Sequence, residues 1–149
     1  MPPQDATAIA GRLQQAALRV TGPRVAVLSA LDGLTGHPDV ETIGAAARPR
    51  LRGLSTQGLY DILRAFTAAG LVRRIEIAGG PARYETRVGD NHHHLVCRAC
   101  GDTRDVDCVV GSAACLQPSD AAGFAVDEAE VTFWGVCPAC ASPDQKAIA

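Results

Sequence analysis

The sequence predicts an α+β chain in two parts, and three observations carry that prediction. Apolar residues recur at helical spacing as far as Gly70. The spacing then changes to the alternation of strands. Two Cys-x-x-Cys pairs, Cys97/Cys100 and Cys137/Cys140, flank the last strand-like stretch. A length of 149 residues suits one ordinary domain or two small ones, and a hydrophobic content of 47% is enough for a packed core.

The elements follow in order. Leu13, Ala16, Ala17 and Val20 mark a first amphipathic helix. Thr21 is placed to cap a second, with Pro23 in its first turn, where a missing N–H does little harm. Val25, Leu28 and Leu31 line one face of that helix. Asp39 can cap a third, with Val40, Ile43 and Ala47 facing inward, and Ser55 a fourth. Leu59, Ile62, Leu63 and Phe66 then sit at i, i+3, i+4 and i+7, the clearest amphipathic stripe in the chain. Gly70 is the expected C′ glycine.

Residues 71–77 and 83–88 are rich in β-branched residues, and Gly79-Gly80-Pro81 falls between them, so the pair reads as a β-hairpin. Short helices closed by a hairpin are the layout of a winged helix-turn-helix. In that fold the last helix enters the DNA major groove and the hairpin is the wing. Gly89-Asp90-Asn91 is a turn-like link. Beyond it, residues 94–96, 105–110 and 124–136 are strand-like, and 111–123 have room for one short helix. The tail from 141 is small and polar, and is expected to fray. The expected boundaries are a first domain over 1–86, a hinge over 87–91 and a second domain over 92–149.

Charge separates the halves. Residues 1–85 carry ten Arg against seven acids, a balance of +3; residues 86–149 carry four basic residues against nine acids, a balance of −5. A basic front half can face a polyanion, and an acidic rear half is a poor surface for one. No apolar run is long enough to span a bilayer, and Met1-Pro2-Pro3-Gln4-Asp5 has no secretory pattern, so a cytoplasmic location is expected. Six cysteines in such a chain favour metal or redox chemistry over a disulfide framework.

Two residues between cysteines let both thiolates reach one ion from a tight knuckle. A second knuckle completes a tetrahedral shell of four sulfurs, which suits structural Zn2+. Cys97, Cys100, Cys137 and Cys140 are the expected ligands. Cys108 and Cys115 remain, either as small buried hydrophobes or as oxidisable thiols.

His92, His93 and His94 are consecutive, and in a strand His92 and His94 share a face. Together they make half of a second metal site, unless the run is simply solvated. Glu85, Asp105 and His37 are candidate partners. Mixed nitrogen and oxygen donors suit Fe2+, Mn2+ or Zn2+.

These residues carry a resemblance. Thr21-x-x-Arg24, His37-Pro38, Ser55-Thr56-x-x-Leu59-Tyr60-x-x-Leu63 and Ala69-Gly70-Leu71-Val72 are joined by Arg83-Tyr84-Glu85. The segment from Asp90 through His92-His93-His94-Leu95-Val96-Cys97 to Cys100-Gly101 and the closing Gly135-Val136-Cys137-Pro138-x-Cys140 complete it. Over nearly its whole length the chain resembles the Fur family of metal-responsive repressors. The resemblance implies a winged-helix N-terminal domain and a small α/β dimerisation domain holding the four-cysteine zinc site. It also implies a homodimer that binds palindromic operator DNA when metal-loaded, and a regulatory Fe2+ or Mn2+ site at His37, Glu85, His92, His94 and Asp105.

Within the family the chain is most similar to peroxide-sensing repressors of the PerR and CatR type. Asp105 stands where those carry an aspartate ligand, and residues 127–131 lack the histidine common in iron sensors. That similarity implies control of catalase-type genes, with His37 and His92 as candidate oxidation sites. The alternative within the family is an iron- or zinc-uptake repressor. Gly58-Leu59-Tyr60-Asp61 departs from the usual recognition helix: Gly58 weakens a helix by about 1 kcal/mol relative to Ala, and Asp61 would repel phosphates.

For DNA contact, Ser55, Thr56, Gln57 and Tyr60 are candidates for base edges, Gln57 by pairing with adenine. Arg24, Arg64, Arg73 and Arg74 are candidates for phosphates. The chain is read as a regulator and not an enzyme. Two readings from other classes stand beside it: a dithiol oxidoreductase using Cys97 and Cys100, and a zinc-ribbon module that binds only protein.

Overall fold

Asp5, Thr21, Asp39 and Ser55 each start a helix by the same means. A side-chain oxygen accepts a backbone N–H of the first turn, from Thr7 (3.2 Å), Arg24 (3.4 Å), Thr42 (2.8 Å) and Gly58 (3.0 Å) respectively. The helices are α1 (Ala6–Gln15), α2 (Gly22–Gly33), α3 (Val40–Ala47) and α4 (Thr56–Ala68). The computed structural model describes residues 5–77, 79–90, 92–107, 118–126 and 129–141. The chain divides into two compact units, Met1–Val88 and Gly89–Ala149.

The first helix departs from the sequence expectation. It buries Ile9 and Leu13 and stops at Gln15, so Ala16, Ala17 and Val20 lie beyond it. Ala17 has φ +56°. Its N–H donates to Gln14 O and that of Leu18 to Leu13 O, each at 2.9 Å, the paired bonds of a Schellman stop. Alanine is the best helix former and gives no stop signal, which is why the apolar periodicity continues past it. A left-handed alanine is strained where glycine is not. Ala17→Gly is therefore expected to stabilise the protein by about 0.5–1 kcal/mol, read as a raised midpoint in denaturant.

The core of the first unit is Ile9, Leu13, Val27, Leu28, Leu31, Ile43, Ala47, Leu59, Leu63, Phe66, Val72 and Tyr84. The α4 stripe is buried as its spacing predicts. Gly70 (φ +69°) closes that helix, with Leu71 N–H donating to Phe66 O at 2.9 Å. Arg12 pairs with Asp32, at 2.5 Å, to tie α1 to α2.

The hairpin is shorter than expected. β1 (Arg73–Ile75) and β2 (Arg83–Glu85) pair antiparallel, with Arg73 opposite Glu85. The other edge of β2 is occupied too: Asp39 bridges to Arg83, and Tyr84 N–H donates to Pro38 O at 2.9 Å. That contact joins the wing to the chain just ahead of α3. Four helices and this hairpin form the winged helix-turn-helix.

The second unit is a three-stranded sheet ordered β4-β3-β5. Central β3 (His92–Cys97) runs antiparallel to β4 (Thr103–Asp107) and parallel to β5 (Thr132–Gly135). Two strand expectations are corrected. Among the described residues of 124–136 only β5 is a strand, and of 105–110 the described part belongs to β4, which pairs from Thr103 to Asp107. Gly123 and Pro118 lie in irregular backbone, and the rest of the segment given room for a helix, with Cys108 and Cys115, lies outside the described residues. No described helix is long and apolar enough to cross a membrane.

Candidate metal centres

Parallel pairing of β3 and β5 puts their C-terminal ends side by side, with Cys97 opposite Gly135. Each strand runs directly into a cysteine knuckle. In the first, Gly101 takes φ +75° and its N–H donates to Cys97 O at 2.9 Å. In the second, the N–H groups of Cys140 and Ala141 return to Cys137 O at 3.0 and 2.8 Å. The four sulfurs lie within 4.8 Å of one another, and those of Cys100 and Cys137 are 3.7 Å apart. Tetrahedral Zn–S bonds of about 2.3 Å require sulfurs about 3.8 Å apart, so the donor set and its spacing fit zinc.

Thiol electrostatics agree. Cys137 N–H donates to Cys97 Sγ at 3.3 Å, and that bond comes first among those bringing the Cys97 thiol down to about 6. Cys140 is pushed up to about 12, chiefly by its hydrogen bond with Cys137 and then by Cys100. Four neighbouring thiols cannot all ionise unaided. A divalent cation removes that conflict.

The first unit holds one group of nitrogen and oxygen donors. His37 Nε2 lies 3.0 Å from Glu85 Oε2, and each side chain is only 3% exposed. The Tyr84–Pro38 bond explains the meeting, since it aligns the residues after Tyr84 with those before Pro38. Arg73 Nε stands 3.9 Å from Glu85 Oε1 with its side chain 18% exposed. Arg73 therefore faces Glu85.

The second unit holds another. His92 and His94 share a face of β3, both buried, with ring centroids 5.0 Å apart. Asp105 is registered opposite His94, and its Oδ1 lies 3.9 Å from His92 Nε2 and 3.7 Å from His94 Nε2. Asp90 Oδ1 lies 2.7 Å from His92 Nδ1. When Nδ1–H donates a hydrogen bond to Asp90, Nε2 is left as the lone-pair donor, the usual way a carboxylate orients a metal-binding imidazole. Glu130 Oε1 is 3.9 Å from His94 Nδ1. His93 points to the other face, with its ring 6.4 Å from Phe133. Sequence reasoning did not anticipate Asp90 and Glu130 beside these histidines. Asp90 had a local signal, two residues before a strand histidine; Glu130 had none, because 22 residues separate β4 from Glu130.

On α4, Ser55 Oγ is engaged as the helix cap, whereas Thr56, Gln57 and Tyr60 are exposed. A Cβ on Gly58 would lie 3.1 Å from that capping oxygen. Asp61 points to neighbours on its own helix: Gln57 Nε2 donates to it at 3.0 Å and Arg64 Nη1 lies at 3.6 Å. Arg74 pairs with Glu76, and Arg24 donates to Arg19 O at 2.9 Å.

Comparison with known proteins adds the following. The model of the ferric uptake regulator family matches residues 15–133. The transcriptional regulator FurA of Mycobacterium tuberculosis is 58% identical over 91% of this chain and 91% of its own length. Ferric uptake regulation protein 2 of Mycolicibacterium fortuitum is 55% identical, covering 86% of this chain and 89% of that protein. The peroxide-responsive repressor PerR of Staphylococcus aureus is 27% identical over 86% of each. Among solved structures, the manganese-bound ferric uptake regulator of Pseudomonas aeruginosa aligns with a TM-score of 0.66 and 26% identity, covering 87% of this chain and 98% of that one.

Proposed function

Because this chain belongs to the ferric uptake regulator family, we propose that it is an iron-responsive repressor, active on operator DNA when a regulatory metal is bound. The observation that carries the reading is two groups of nitrogen and oxygen donors, the buried His37–Glu85 in one unit and, in the other, the buried His92 and His94 with Asp105 beside them. All five offer nitrogen or oxygen and none offers sulfur, a set that suits Fe2+ or Mn2+. The sulfur cluster is assigned to structural Zn2+. The relatives favour iron supply over the peroxide signal that Asp105 suggested: the ferric uptake regulation protein stands at 55% identity and the peroxide-responsive repressor at 27%.

Bound metal would act as the switch, its binding energy favouring the DNA-binding state of the protein. Glu85 and Asp105 neutralise its charge, His37, His92 and His94 supply nitrogen, and Asp90 holds the His92 tautomer. A homodimer then offers two copies of α4 to a palindrome. In this reading Ser55, Thr56, Gln57 and Tyr60 meet base edges, and Arg24, Arg64, Arg73 and Arg74 meet phosphates.

The test is an operator titration at fixed salt with Fe2+, Mn2+ or Zn2+ under anaerobic conditions. Fe2+ is expected to switch binding on. Glu85→Ala and His92→Ala are expected to abolish the switch while keeping zinc bound at the cysteines. Asp90→Ala is expected to weaken regulatory-metal affinity by about 10-fold. Loss of the zinc in the Glu85 or His92 variants would refute the division into two sites. Loss of binding after hydrogen peroxide treatment of the iron form would restore the peroxide reading, with His37 and His92 as the residues to examine for oxidation.

A further inference from the structure

The positive excess of the front half has one source. Residues 1–85 carry ten Arg against seven acids, and three of those Arg, at 48, 50 and 52, fall within residues 42–60, where there is no Asp or Glu. The rest of that half is balanced, with seven Arg against seven acids. Arg48, Arg50 and Arg52 are all exposed, and among the described residues none of them forms an ion pair. Arg12, Arg64, Arg73 and Arg74, by contrast, each stand beside a carboxylate.

The segment that carries the three is a fixed turn between α3 and α4. Arg50 N–H donates to Ala47 O at 3.0 Å, and Leu51 N–H is shared between Ala47 O and Arg48 O, at 3.2 Å each. Leu51 Cδ1 lies 3.9 Å from where a Cβ on Gly22 would sit, at the start of α2. Leu54 Cδ1 lies 3.9 Å from the same point on Gly58, in the first turn of α4. The Arg48 guanidinium folds back over α3, with both Nη atoms 3.2 Å from the Cβ position of Gly44, beside the Leu59 side chain of α4. Arg50 Nη1 donates to Ser29 Oγ on α2 at 2.9 Å. A hydroxyl is neutral and occupies one of five guanidinium N–H groups, so the charge of Arg50 stays uncompensated and its other donors stay available.

We propose that Arg48, Arg50 and Arg52 form a phosphate clamp that grips the operator backbone beside the groove α4 enters. This rests on the reading of α4 as the DNA-facing helix. Arg52 precedes Thr56 by four residues, at most about 14 Å of chain, and the major groove is about 12 Å wide. A turn that leads into a helix seated in that groove therefore lies over its phosphate rim. Guanidinium suits the partner, because it stays charged at any working pH and its planar fork meets a phosphate through two N–H groups. An arginine already beside a carboxylate must exchange that partner for the phosphate; these three need not. Phosphate contacts fix where a protein sits without reading sequence, so the turn sets affinity and leaves base preference to α4.

The experiment titrates the metal-loaded full-length protein over a range of salt, on an operator selected from a randomised pool and on an unrelated duplex. It compares the wild type with Arg48→Ala, Arg50→Ala, Arg52→Ala, the triple alanine variant, Arg50→Lys and Arg104→Ala. Arg104 carries the same charge on β4, in the other unit. Circular dichroism checks that the helices are intact. A dimer presents two copies of the turn, so each single alanine variant is expected to flatten the slope of log affinity against log salt by about 1.8, or about 0.9 for each lost contact. The triple variant flattens it about three times as much. Binding to both duplexes weakens alike, so the preference for the operator is kept. Arg50→Lys and Arg104→Ala keep the wild-type slope.

An unchanged slope in the triple variant, with its helical signal intact, would overturn the proposal. So would an equal flattening in Arg104→Ala, which would mean that net charge and not contact sets the slope. Loss of operator preference in the alanine variants would show that the turn reads bases, against the assignment to phosphate. If the wild type binds neither duplex when metal-loaded, the DNA-binding reading itself is wrong, and this inference falls with it for a reason visible in the wild type alone.

Discussion

Stripping the metal from the four-cysteine cluster, or replacing Cys100 by Ser, is expected to unfold residues 89–149 and leave the helical unit standing. The reason is magnitude. Zinc binding to a structural sulfur site contributes on the order of 10–16 kcal/mol, whereas whole domains are stable by only about 5–15 kcal/mol. The described second unit is a sheet of three short strands with few buried apolar side chains, Val96 and Cys97 among them, and with Leu95, Phe133, Trp134 and Val136 substantially exposed. A core that small needs a staple. The two units can be read separately. Trp134 is the single tryptophan and lies on β5, while all four helices among the described residues lie in the first unit. Chelation should therefore shift Trp134 fluorescence to that of a solvated indole and leave most of the far-ultraviolet helical signal. A native Trp134 spectrum in zinc-free protein would show that the cluster is not what holds this unit together.

The second large effect belongs to the other unit. Phe66→Ala is expected to destabilise residues 1–88 by about 3–5 kcal/mol. Phe66 is fully buried on α4, the helix assigned to DNA, and its carbonyl accepts the bond that closes that helix. Removing its ring opens a cavity where α4 meets the rest of the core. For a unit of this size, thermal unfolding of the helical signal should move down by more than about 12 °C. Trp134 fluorescence should keep its zinc-dependent transition, since that chromophore belongs to the other unit. Phe66→Leu retains most of the apolar volume and should lose much less. Equal losses for Ala and Leu would mean that ring packing at this position does not hold α4 in place.

The helix starts were legible because capping acts over three residues: Thr21, Asp39 and Ser55 each reach a backbone N–H in their own first turn. The Asp39 carboxyl, held below its ordinary range first by the Thr42 backbone amide, records the same contact. The α4 stripe was legible for the same reason, since one helix generates its spacing. Ala17 was not, because its left-handed turn follows from how α1 packs and not from any preference of alanine. Gly58 and Asp61 were visible as oddities. Their surroundings, the Ser55 hydroxyl beside Gly58 and Gln57 and Arg64 beside Asp61, needed coordinates.

The cysteine pairs and the His92–His94 face were likewise written locally. A knuckle needs two intervening residues, and a strand face needs alternation. By itself, then, the sequence determined which donors exist, which family the chain resembles and where each helix begins. Only the tertiary structure decided which donors meet. Cys97 and Cys100 reach Cys137 and Cys140 because β3 and β5 run parallel. His37 reaches Glu85 because the wing bonds to Pro38 through Tyr84, and Asp105 faces His94 through strand register. These meetings depend on backbone hydrogen bonds between segments far apart in the chain. Backbone amides are chemically alike at nearly every residue, so no side-chain pattern announces which of them will pair.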